Sequence, residues 1–107
     1  MTSISVYRRS KLPVGIKVEG HSGYAESGAD IVCAAISVLV QALYIGLTEY
    51  VHIIPDTKVK EDGAFIEIHW QNNNSRELNV LVETIIKALY ETSRSYQDYV
   101  KFVEVSL

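Results

Sequence analysis

The stretch from Leu12 to Ser37, LPVGIKVEGHSGYAESGADIVCAAIS, changes its hydrophobic period twice and so decides the architecture. Val14, Ile16 and Val18 alternate with Gly15, Lys17 and Glu19, the two-residue period of a strand with one face turned to a core. The alternation stops at Gly20. Residues Gly20 to Gly28 hold three glycines and two serines with no sustained apolar period, the composition of a surface loop with access to unusual backbone angles. Ser27 followed by Asp30 has capping-box spacing and predicts a helix start there. That helix is expected to run to about His52. It is apolar nearly all round, through Ile31, Ile36, Val38, Val40, Leu43 and Leu47, so it must be buried on several sides.

Outward from this stretch the pattern is regular. Ile4 to Arg9 reads as a strand that pairs with Leu12 to Glu19 across a turn at Ser10 to Pro13, since proline is tolerated at a strand start. On the C-terminal side, Thr57 to Lys60 and Ala64 to Trp70 form a second hairpin across Glu61-Asp62-Gly63, with Ala64, Ile66, Ile68 and Trp70 inward. Asn74 and Glu77 give capping-box spacing for a second helix. Its apolar stripe is Leu78, Leu81, Val82, Ile85 and Leu89, and Glu83, Lys87 and Glu91 form a solvated charge ladder. Tyr99 to Val105 closes the chain as a strand. The order ββαββαβ predicts an α+β fold: a single two-layer domain over residues 1–107, its antiparallel or mixed sheet covered on one face by two helices.

Composition narrows the function classes. The 107 residues are 48% hydrophobic and 21% charged, enough for one core and against disorder. Cys33 is the only cysteine, so no intramolecular disulfide can form, and the chain is expected to be cytoplasmic. The start MTSISVYRRSKLPV lacks the order of a signal peptide. With a net charge of −3 and scattered basic residues, direct nucleic-acid binding is not expected, whereas a mildly acidic surface suits a basic protein or peptide. The first helix has the length of a membrane span. Ser37 and Gln41 interrupt it, however, and Asp30 and Glu49 flank it without a basic anchor, so no membrane is expected and its spare apolar face should pack on a second subunit.

Cys33 stands about one and a half turns inside a helix N-terminus, where unpaired N–H groups favour a thiolate. The same residue, between Val32 and Ala34, also reads as plain core packing. His21, in the glycine-rich loop at the end of a strand, can reach back over the helix start, and a Cys–His pair is the minimum apparatus for nucleophilic acyl transfer. Asp30 and Ser37 share a helical face with Cys33 and are candidate supporting residues, although Asp30 is equally a capping residue and Ser37 equally a helix serine bonded to its own backbone. His52, at a helix C-terminus, and His69, on a strand, read as structural. Neither zinc spacing nor a phosphate loop is present, so no metal and no cofactor is expected.

Gly20-His21-Ser22-Gly23-Tyr24-Ala25, followed by Gly28-Ala29-Asp30-Ile31-Val32-Cys33-Ala34-Ala35-Ile36-Ser37, resembles the two-part signature of the ribosomal-processing cysteine proteases of the Prp type. The family pattern is a GH dipeptide, a flexible loop, then G-x-D-[IV]-V-C-A-A/G-x-S; Ser22 stands where alanine is more usual. The resemblance implies a homodimeric, cytoplasmic bacterial endopeptidase that removes the N-terminal extension of large-subunit ribosomal protein L-twenty-seven. It carries the nucleophile onto Cys33 and the proton-transfer base onto His21. It also makes Gly20, Ser22, Gly23 and Gly28 part of a loop that orders over a bound peptide with paired phenylalanines before the cut. The alternative is a noncatalytic ribosome-associated or assembly protein in which Cys33 is a buried core residue.

Overall fold

The computed structural model describes residues 1–20, 27–60 and 65–107, with residues 27–30 described by their backbone alone. Five strands and two helices follow the expected order: β1 (Thr2–Arg9), β2 (Leu12–Glu19), α1 (Ser27–Ile45), β3 (Asp56–Lys60), β4 (Phe65–His69), α2 (Arg76–Ser95) and β5 (Val100–Ser106). The strands lie in the order β3-β4-β2-β1-β5. Only the β1–β5 pair is parallel, so the sheet is mixed. The β1–β2 hairpin turns on Ser10 and Lys11, both at positive φ, which matches the right-handed twist of the flanking strands.

Register sets the layering. Val6 pairs with Ile16 and Ile16 with Ile68, while Ile4 pairs with Val18 and Val18 with Ile66, so one face of four strands is a continuous apolar surface. Both helices close over it. From α1 come Val32, Ile36, Val40 and Leu43, and from α2 come Leu78, Val82, Ile85 and Leu89, all in one buried cluster with the sheet residues. Burial of each such aliphatic side chain contributes about 1.5–3 kcal/mol. The opposite sheet face, with Tyr7, Lys17, Glu67 and His69, has no helix on it. There His69 Nε2 donates to Glu67 Oε2 at 2.8 Å, and its ring fills the space over Gly15.

Several boundaries move. β1 starts at Thr2 rather than Ile4 because β5 pairs with it from Thr2 onward. α1 ends at Ile45 and continues as a π-helical turn, Gly46–Tyr50, in which Leu47 stays buried; His52 then leaves the helix at φ 62. The turn sits where Gly46 meets Leu81 of α2 closely enough that a Cβ would lie 2.6 Å from a Leu81 methyl. The cap of α2 is Ser75, whose hydroxyl accepts from Leu78 N–H, and not Asn74. Asn74 instead takes φ 60, and its side chain accepts from Asn79. The second hairpin's turn lies outside the described residues.

The segment Ile31–Tyr50 is long and apolar enough to cross a bilayer, but a third of it is buried in this domain as the core helix. Its outward stripe remains open. Ile31 is 57% and Val38 63% exposed, with Ile45 beside them.

Candidate active site

Position along α1 sorts the candidate residues. Val32, Ile36 and Val40 point into the core, and Ile31 and Val38 point to solvent. Cys33, Ser37 and Gln41, spaced by four, run down the border between those faces. Cys33 is partly exposed, whereas its neighbour Val32 is fully buried, so the thiol is not plain core packing. Ser37 and Gln41 are exposed.

The second strand delivers the chain to the same place. β2 ends at Glu19, and Gly20 follows at φ 85, where a Cβ would lie 2.6 Å from the Met1 carbonyl oxygen. Only glycine takes that conformation without strain. Gly20 and Ser37 then line one cavity of about 230 Å³ between α1 and the sheet. Its walls are Val18 of β2, Ile36 and Val40 of α1, Val59 of β3 and Ile66 of β4, with Gln41 at the rim. The fold therefore brings the residue before His21 alongside the helix that carries Cys33.

His21, Ser22 and Gly23 lie outside the described residues. Gly28 and Asp30 are in the first turn of α1, so the helix takes the end of the expected loop, and their side-chain surroundings lie outside the description. Gln41 and the wall from β3 and β4 were not singled out from the sequence. The spacing of Gln41 from Ser37 was the available signal; the approach of β3 and β4 follows from strand order and has none.

Size alone does not mark the site. A larger cavity of about 510 Å³ opens at the opposite ends of the strands, around Ile53, Asp56, His69 and Trp70, but its lining carries no thiol or hydroxyl. The perturbed titrating groups also lie elsewhere. The hydrogen bond from His69 lowers the pKa of Glu67, hydrogen bonding to Tyr7 raises that of Lys17, and the bidentate pairing with Glu83 raises that of Arg8. Among the described residues, no three His, Cys, Asp or Glu side chains converge to hold a metal ion.

Comparison with known proteins settles the family, since the model of the Prp cysteine proteases matches residues 1–101. The chain belongs to the Prp cysteine protease family. A Staphylococcus aureus relative, a ribosomal processing cysteine protease Prp, is 28% identical over 78% of this chain and 79% of its own length. Among solved structures, a Streptococcus mutans protein superposes with a TM-score of 0.91 at 23% identity, covering 100% of this chain and 96% of that one. The S. aureus ribosomal processing protease Prp, with a covalently linked product peptide, gives 0.88 at 19% identity over 98% and 100%. At these identities the structural likeness is one of fold.

Proposed function

We propose that this Prp-family protease is an endopeptidase that removes the N-terminal extension of ribosomal protein L-twenty-seven, with Cys33 as nucleophile and His21 as base. The observation that carries the reading is the partly exposed Cys33 on the helix that shares a cavity with Gly20, the residue before His21. The substrate class is supported by the curated relatives, named for ribosomal processing, and by the S. aureus protein's complexes with substrate and product peptides.

In this mechanism the His21 imidazole takes the proton from Cys33 Sγ, and the thiolate adds to the scissile carbonyl carbon. Collapse of the tetrahedral adduct breaks the C–N bond, and the imidazolium returns its proton to the departing amine. Water then adds to the thioester with His21 taking its proton. The acid product leaves and the thiol is restored. Asp30 and Ser37, on the Cys33 side of α1, are candidates to orient the pair.

The protease acts as a cytoplasmic homodimer in this reading, with the open stripe Ile31, Val38 and Ile45 covered by a second copy. The test is cleavage of a peptide copying the extension, with the cut located by mass spectrometry. Wild type should cleave at one bond, and Cys33→Ala and His21→Ala should be folded and inactive. Equal cleavage by Cys33→Ala would overturn the assignment.

A further inference from the structure

The cavity beside α1 takes no part in the bond-making steps just described, yet it is the space the fold leaves next to Cys33. We infer that it is a substrate subsite that receives one apolar side chain of the peptide, two to four residues from the scissile bond, with Val59 as its specificity-determining wall. The inference rests on the peptidase reading of Cys33.

Three observations carry it. The first is size: at about 230 Å³ the cavity falls below the roughly 300–1,000 Å³ of small-molecule pockets, which suits a single large side chain. The second is chemistry. Val18, Ile36, Val40, Val59 and Ile66 line it, and the polar Ser37 and Gln41 stand on the α1 side. Such a wall takes an aliphatic or aromatic group and rejects a charge, which would lose its hydration without a partner. The third is distance. Ser37 and Gln41 lie about 6 and 12 Å from Cys33 along the helix axis at 1.5 Å per residue, and an extended peptide advances about 3.3 Å per residue, so the cavity is two to four residues away.

Val59 is the residue to change. It lies on β3, the edge strand, and is 62% exposed, so a new side chain there alters the wall without entering the core. The full-length protein, Val59→Asp and Val59→Trp are each incubated with a library of proteome-derived peptides, and the cut sites are mapped by mass spectrometry. Thermal melts and light scattering are run on the same samples.

Wild type should enrich Leu, Ile, Phe or Met at one position two to four residues from the cut. Val59→Asp should lower that enrichment about tenfold and admit Lys or Arg there, and Val59→Trp should shift it to Ala or Val. A folded Val59→Asp and Val59→Trp pair with wild-type preference would overturn the subsite while leaving the peptidase reading intact. Unchanged preference together with a shift from dimer to monomer would also overturn it and assign the cavity to a second copy of the chain. Absence of any cleavage by wild type would overturn the peptidase reading itself, and the subsite with it.

Discussion

Replacing Gly20 by alanine tests whether the end of β2 is held as rigidly as the site requires. Two costs add. A non-glycine residue at φ 85 is strained by roughly 1–2 kcal/mol. The new Cβ would also lie 2.6 Å from the Met1 carbonyl oxygen, a backbone atom whose next residue, Thr2, donates its N–H to Tyr99 at 2.9 Å and so cannot move away freely. About 1 kcal/mol more for that displacement, less about 0.4–1 kcal/mol from the stiffer unfolded chain, leaves a loss of about 1–3 kcal/mol. At 4–8 °C per kcal/mol the melting temperature should fall by about 5–20 °C, read by circular dichroism. Gly46→Ala is the control. Its Cβ would meet only a terminal methyl of Leu81, no positive φ is involved, and alanine gains about 1 kcal/mol of helix propensity, so its shift should be much smaller. A Gly20→Ala melting temperature within about 2 °C of wild type would refute the reasoning.

Ser75→Ala should cost about 1 kcal/mol, because the hydroxyl that accepts from Leu78 N–H is lost, and Asn74→Ser should not restore it in that background; urea denaturation reads both. Glu67 has its pKa lowered by the hydrogen bond from His69, so it contributes stability that is fully present above the ordinary glutamate range near 4.3 and is lost as pH falls through the lower folded value. Melting temperature against pH should therefore show a gap between wild type and Glu67→Gln at pH 6 that closes in strong acid. On the open face of α1, Val38→Asp should convert a light-scattering dimer to a monomer with its fold intact.

Much of this was legible in the residues. The alternation of Val14, Ile16 and Val18 and the break at Gly20 located β2 and its end, and the apolar run from Ile31 located α1, because period and glycine act locally. Ser75 outcompeted Asn74 as the cap since both residues suit the role and only the backbone angle at Asn74, φ 60, decides between them. The end of α1 was overrun by seven residues: nothing in Gly46–Tyr50 forbids a helix, and the change to a π-helical turn coincides with the close approach of Leu81. At the site, Cys33 and Ser37 share a helix border as their spacing required. The cavity wall from Val59 and Ile66 was hidden, because it depends on β3 and β4 falling next to β2 in the sheet.

The central claim is that Cys33 is the nucleophile, and the most direct measurement is cleavage of the L-twenty-seven extension peptide by wild type and by Cys33→Ser, each first shown to be folded by its melting curve. Serine keeps the size and polarity of the side chain and replaces an ionisable thiol with a hydroxyl that the site has little means to activate. The account predicts a single cut by wild type, a thioester adduct on Cys33 trapped by rapid acid quench, and loss of cleavage by at least about a hundredfold in the serine variant. Cleavage by Cys33→Ser at the wild-type rate would contradict it.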